Sequence, residues 1–64
     1  MSAKRYYVSI DDIDQSDRNE SDMWSKHTAL EYALLNGCKV ELWDSSGHKV
    51  YEADAAGKVW DIND

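Results

Sequence analysis

The C-terminal part of the chain repeats one short phrase three times, and this repeat limits the possible folds more than any other feature. The copies occupy residues 39–47, 49–57 and 58–62. Each begins with Lys-Val and contains an aromatic residue and an acid, and the first two end in small residues closing on Gly47 or Gly57. Such runs are typical of β-strands, and glycine supplies the positive φ that hairpin turns need. The repeat predicts a three-stranded antiparallel meander.

The size and cysteine content limit how such a domain is stabilised. With 64 residues, the chain is expected to form one domain with a thin core, because small domains bury a smaller fraction of their surface. Cys38 is the only cysteine, which excludes an internal disulfide and suits a reducing compartment. The sequence shows no signal peptide or membrane span. We therefore expect a cytoplasmic protein.

The negative charge is concentrated in one segment. The chain carries a formal net charge of -6, and residues 11–22 contain six acids and one base, Arg18. A nucleic-acid duplex would be repelled by this segment, because phosphate attraction requires clustered Lys and Arg. A basic protein surface would be attracted. The segment is otherwise interpreted as a solvated loop, since its calcium-loop pattern lacks the required Gly and closing Glu.

A strand and a helix are predicted before the meander. Residues 4–10 are rich in aromatic and β-branched residues, which is typical of a strand. Residues 11–21 are predicted to form a long acidic loop. Ser21 is a suitable N-cap and Gly37 a suitable stop for a helix over residues 22–36. The helix is expected to bury a stripe on one face, with Tyr32 near the opposite side. The members of this stripe are Met23, His27, Leu30, Ala33 and Leu34.

These elements predict a single α+β domain over residues 1–64, in the order β-α-β-β-β. One helix packs on one face of a four-stranded, mostly antiparallel sheet. A parallel crossover through the helix is favoured between the first two strands, although the long acidic loop leaves another pairing open.

The alternation of side chains predicts which residues lie under the helix and which lie on the opposite face. The residues expected under the helix are Tyr6, Val8, Ile10, Cys38, Val40 and Leu42. The open face is expected to carry three aromatic residues, Tyr7, Trp43 and Tyr51, among Arg5, Lys39, Glu41 and Lys49. Tyr and Trp tolerate a wet boundary and anchor interfaces. This face is therefore either a contact surface or a set of cross-strand pairs that stiffen a thin sheet.

No catalytic or metal-binding pattern is recognisable. His27, His48 and Cys38 are too few and too widely spaced for a structural zinc site, and no Ser, Cys or carboxylate stands in a nucleophile motif. We expect a protein that is not an enzyme and needs no cofactor.

The layout resembles the small phage-encoded anti-CRISPR proteins, in particular a type I-F inhibitor built as one helix on a meander. The resemblance is carried by Ala29-Leu30, Val40, Gly47, Tyr51 and the closing Gly57-Lys58-Val59-Trp60. It implies a stoichiometric inhibitor that docks on a nucleic-acid surveillance complex in the host cytoplasm. That inhibitor has a basic contact face, so no contact residue is transferred to this acidic chain.

Three functional hypotheses follow. The first is a phage or prophage inhibitor that docks on a basic surface of a host defence complex. The second is a homodimeric accessory protein that buries its open sheet face. The third is a single-stranded nucleic-acid binder that stacks bases on its aromatic residues, which the missing basic groove does not favour. The candidate partner contacts are Tyr7, Trp43, Tyr51, Asp11, Asp12, Asp14 and Asp17.

Overall fold

The computed structural model describes residues 5–14 and 23–63. It confirms an α+β domain with one helix on an antiparallel sheet, and it adds a two-residue strand to the four predicted ones. The elements are β1 (Tyr7–Ile10), β2 (Ile13–Asp14), α1 (Lys26–Asn36), β3 (Val40–Trp43), β4 (Lys49–Ala53) and β5 (Val59–Asp61).

The sheet has the order β2-β1-β3-β4-β5, and every neighbouring pair is antiparallel. The favoured parallel crossover between the first two predicted strands is therefore wrong, because β1 pairs antiparallel with β3. The reason is a reversal that comes before the helix. The chain turns back at Asp11 and Asp12 to form β2, so the connection through α1 enters β3 in the opposite direction to β1.

This reversal is a tight turn rather than the start of a long loop. Asp11 and Asp12 both have positive φ, 51° and 70°, between the paired residues Ile10 and Ile13. Two consecutive positive φ values characterise a type I′ hairpin, and Asp is among the non-glycine residues that tolerate them. The predicted acidic loop over residues 11–21 is thus wrong at its beginning, whereas residues 15–21 lie outside the described part of the chain.

The helix begins later than the sequence suggests. Its N-cap is Ser25, whose side chain accepts a hydrogen bond from the backbone N–H of Thr28 at 3.2 Å. Trp24 precedes the helix, and its backbone exchanges two 2.8 Å hydrogen bonds with Tyr6. The predicted cap, Ser21, lies outside the described residues. The predicted stop is confirmed, since Gly37 adopts the left-handed conformation at φ 62°.

The helix buries only part of the predicted stripe. Ala29 and Ala33 are fully buried, and the half-buried Leu30 packs against the core, whereas His27 and Leu34 are exposed. Tyr32, predicted near the opposite side, is half-buried, and its ring lies 5.0 Å from that of Trp24. The buried face is therefore centred on two alanines, one of which lies outside the predicted stripe.

The predicted face of the sheet does form the core beneath this helix. Val8 pairs with Leu42, and Ile10 pairs with Val40. Val8, Val40 and Leu42 are almost completely buried, and Ile10 and Cys38 pack against them.

The two hairpins of the meander have the same type of turn. In the first, the Asp44 carboxylate accepts hydrogen bonds from the backbone N–H groups of Ser46 and His48, both at 2.9 Å. In the second, Asp54 repeats the pattern with Ala56 and Lys58 at 3.0 and 2.9 Å. The glycine of each turn has φ above 80°. Asp therefore stabilises each turn from its first residue, which explains the repeated Asp-x-x-Gly.

Candidate protein-binding face

The face of the sheet opposite α1 has no described element packed on it, and we call it the open face. Its members follow from two cross-strand rows. One row runs Tyr7, Trp43, Lys49, and the other runs Ser9, Glu41, Glu52, Trp60. Tyr7, Glu41, Trp43 and Lys49 thus lie where the sequence predicts them.

Tyr51 does not belong to the open face, contrary to the prediction. It lies opposite Leu42 on the helix side and is 5% exposed. The cause is an irregularity in the pairing of β3 with β4, where the register passes from Leu42–Tyr51 to Trp43–Lys49 and leaves Val50 without a partner in β3. Burial raises the pKa of the Tyr51 phenol. Its ring supports the core and is not available to a partner.

Trp60 takes the place that the prediction gave to Tyr51. It lies opposite Glu52 in β5 and is 46% exposed. The ammonium group of Lys49 lies 5.2 Å from the centre of its ring, which is within the range of a cation–π contact. The sequence signal was present in the third copy of the repeat, but only the pairing of β4 with β5 shows which face Trp60 occupies.

Three charged side chains of the open face form one ion-pair network. Glu41 and Glu52 face each other across β3 and β4, an arrangement that would be repulsive without a cation. The Lys49 ammonium lies between them, 2.9 Å from Glu52 and 3.3 Å from Glu41. Its hydrogen bond to Glu52 is the main cause that raises the pKa of Lys49. Glu41 is only 8% exposed, whereas Lys49 and Glu52 are half-buried.

Two of the predicted contact acids are engaged within the molecule. The Asp12 carboxylate accepts a 2.8 Å hydrogen bond from the Lys39 ammonium, which lowers the pKa of Asp12 and raises that of Lys39. Asp11 accepts a 3.1 Å bond from the Lys39 backbone N–H. These contacts brace the β1–β2 turn against the start of β3. Both side chains are still exposed.

The other two predicted contact acids differ in what is described of them. Asp14 lies opposite Ser9 in β2, so its backbone position extends the row of the open face that contains Ser9, Glu41, Glu52 and Trp60. Asp17 lies outside the described residues.

Trp43 carries an unusual polar atom. Its indole Nε1 is buried and has no hydrogen-bond partner, the single such side-chain atom found in the described part of the chain. A buried donor without an acceptor costs about 1–3 kcal/mol. The ring itself is half-exposed. Trp43 therefore sits at the boundary between the core and the open face.

The cysteine and the potential metal ligands are the remaining reactive groups of the described residues. Burial raises the pKa of the Cys38 thiol, which disfavours the reactive thiolate. Within residues 5–14 and 23–63, no three His, Cys, Asp or Glu side chains are grouped to hold a metal ion. None of the described helices is long and apolar enough to cross a membrane.

Comparisons of this chain with family models, with curated proteins and with solved structures gave no match.

Proposed function

We propose that the chain is a small, non-enzymatic protein-binding module whose contact surface is the open face. One observation supports this proposal most directly. Tyr7, Trp43 and Trp60 lie on a sheet face that no described element covers, while Glu41, Lys49 and Glu52 of that face form ion pairs with one another. A partner that covers this face would bury aromatic rings while these three charges keep their ion pairs, which is an arrangement that favours affinity.

The overall charge favours a basic protein as this partner. The chain carries -6, and the two lysines of the open-face network, Lys39 and Lys49, are bound to carboxylates. A phosphate backbone would have to break these contacts to gain the same lysines. A basic protein surface would instead be drawn by the net charge, which sets the association rate and its salt dependence.

The narrower proposal is an inhibitor of phage or prophage origin that docks on a basic groove of a type I-F CRISPR surveillance complex. It is supported by the layout resemblance and by the acidic balance of the chain. The aromatic anchors in this version are Trp43 and Trp60, because Tyr51 is buried.

The broader proposal is tested by comparing three forms of the chain as bait in a bacterial lysate. Trp60→Ala should lose a partner that wild type retains, because removing an interface anchor costs about 2 kcal/mol or more of binding. The matched control is Leu35→Ala, since Leu35 lies on α1 and is 84% exposed. Capture that is lost equally in both variants, or retained in both, would show that the open face is not the contact surface.

The narrower proposal is tested with the purified type I-F complex. Wild type should bind it with a stoichiometric end point, and the apparent affinity should fall as salt is added. Trp60→Ala should dissociate faster than Leu35→Ala. Absence of binding at low salt would reject this target class and leave the broader proposal to the lysate experiment.

A further inference from the structure

The outer edge of β5 presents a row of backbone groups with which no described strand pairs. Along this strand, Lys58 C=O accepts from Asp54 N–H at 3.1 Å, and Ile62 N–H donates to Val50 C=O at 3.0 Å. Trp60 lies between them, opposite Glu52. In an antiparallel pair, successive residues direct their backbone groups alternately inwards and outwards.

The same alternation leaves two residues directed outwards. Val59 and Asp61 lie between the inward-bonded residues, so their N–H and C=O groups point away from β4. They point towards the edge of the sheet, because β5 is its last strand.

The two edges of the sheet differ in how they are protected. In the described part of the chain the other edge strand, β2, has two residues and β5 has three, and the shorter an edge strand is, the more it resists pairing with another chain. At the β5 edge, Val59 is 40% exposed, Trp60 is similarly exposed, and Ile62 follows directly. The β5 edge thus combines unpaired backbone groups with apolar side chains.

We propose that the β5 edge pairs antiparallel with the β5 edge of a second copy of this chain, about a two-fold axis at Trp60. Val59 then faces Asp61 of the second copy, and each such pair exchanges two backbone hydrogen bonds. The two copies form one continuous ten-stranded sheet. The inference concerns a different surface from the open face and does not depend on the proposed function.

The register follows from the pattern of donors and charges. Hydrogen bonds between the two copies form only where an outward-directed residue of one copy lies opposite an outward-directed residue of the other. The two-fold axis therefore lies at Val59, at Trp60 or at Asp61. An axis at Asp61 would place two aspartates directly opposite each other, which is unfavourable. An axis at Val59 would pair Asp61 with Gly57, whose N–H already donates to Asp54 C=O at 3.0 Å. Only the axis at Trp60 uses every outward group of β5.

The side chains are compatible with this register. With the axis at Trp60, Lys58 lies opposite Ile62 of the second copy, so no like charges face one another. Asp61 is already neutralised by Lys26 at 2.9 Å. The axis is perpendicular to the sheet, so both helices lie on one side and both open faces on the other. The dimer therefore doubles the open face and brings its two Trp60 rings together.

Sedimentation velocity over a concentration series tests this pairing. Wild type should shift from monomer to dimer as its concentration rises, because a single strand pair is a small interface and gives weak association. Added salt should strengthen the dimer, since each copy carries -6. Val59→Pro should abolish the shift, because proline removes an outward N–H while leaving the β4–β5 hydrogen bonds in place.

The control is Val59→Thr, which keeps the N–H and the branched side chain and should dimerise like wild type. Thermal melts of both variants establish that they are folded. In a mixture of isotope-labelled and unlabelled protein, a filtered NOE between the Hα protons of the two Trp60 residues should appear, because they face each other in this register.

Three results would overturn the inference. A chain that stays monomeric at every concentration has no self-pairing edge. A dimer that persists in folded Val59→Pro uses another surface, such as the open face. A monomer whose partner capture is lost in Val59→Pro but not in Val59→Thr would assign the edge to a partner strand instead of a second copy.

Discussion

Both carboxylate oxygens of Asp61 accept hydrogen bonds from the ammonium group of Lys26 at 2.9 Å. This ion pair joins the first residue of α1 to the last residue of β5, 35 positions away in the sequence. The ammonium also lies 5.9 Å from the centre of the buried Tyr51 ring. The pair therefore ties the edge strand to the helix above the core.

Stability should depend on the charge of this pair at both ends of the pH range. A hydrogen bond from Asn63 N–H, followed by the Lys26 contact, lowers the pKa of Asp61. Its contribution is therefore present above the ordinary Asp pKa of about 3.9 and is lost as pH falls through the depressed value. The Asp61 hydrogen bond raises the pKa of Lys26, so the contribution of Lys26 to stability is lost as pH rises through the elevated value.

The measurement is thermal unfolding of wild type and Asp61→Asn between pH 2 and pH 7. The variant should melt at a lower temperature at pH 7, and the difference should shrink as the pH falls. Glu31→Gln is the control, because Glu31 is an exposed acid on α1, the helix that carries Lys26. This substitution should change the melting temperature little. A difference that is constant across this range would show that the charge of Asp61 does not contribute.

Leu42 should be the most sensitive large core position. It is fully buried at the centre of β3, between Val8 and Tyr51. Leu42→Ala should cost about 2–5 kcal/mol, because it loses transfer energy and leaves a cavity. The control is Leu35→Ala, since an exposed substitution stays within about 0.5 kcal/mol. Urea unfolding measures both, and equal midpoints would show that the core is not centred on Leu42.

Asp54 should contribute more to stability than the two serines of the first turn. Asp54→Ala removes the acceptor of two backbone hydrogen bonds and should cost about 1 kcal/mol. Asp54→Asn keeps a side-chain oxygen and should restore part of that loss. Ser45→Ala with Ser46→Ala is the matched control, because it gives the first turn the Ala-Ala sequence of the second. An Asp54→Ala variant as stable as this control would contradict the assigned role.

Local signals predicted the repetitive part of the fold. The Lys-Val repeats, the turn glycines and the helix stop at Gly37 depend on residues close together in sequence, and the structure confirms them. The beginning of the helix was predicted from Ser21, whereas the N-cap of the described helix is Ser25. The residue before Ser25, Trp24, pairs with the distant Tyr6, and no local pattern contains that contact.

Two face assignments differ from the structure, that of the helix and that of Tyr51, and each difference has a physical cause. The helix face was assigned from a regular spacing that included His27 and Leu34, but the fully buried residues of the helix are Ala29 and Ala33, whose small size permits close packing. The face of Tyr51 was assigned from strict alternation, which the irregular pairing at Leu42 and Trp43 interrupts. Such an irregularity depends on the pairing of two strands, so β4 alone does not reveal it.

Lys49 should be required because it separates two facing carboxylates. Its ammonium contacts both Glu41 and Glu52, which lie opposite each other. Lys49→Met should therefore reduce stability at pH 7 by about 1 kcal/mol, the upper range of cross-strand pairs.

The double variant Lys49→Met with Glu52→Gln isolates this repulsion from the other effects of Lys49. It should recover part of the stability at pH 7, because only Glu41 keeps its charge and Lys39 lies 3.9 Å from it. Lys58→Met, a substitution of an exposed lysine at the start of β5, is the control for loss of one positive charge and should change little. Urea unfolding at pH 7 of wild type, the two single variants and the double variant gives the coupling between Lys49 and Glu52. If the double variant is no more stable than Lys49→Met, repulsion between the two glutamates does not explain the loss, and Lys49 acts through its contact with the Trp60 ring.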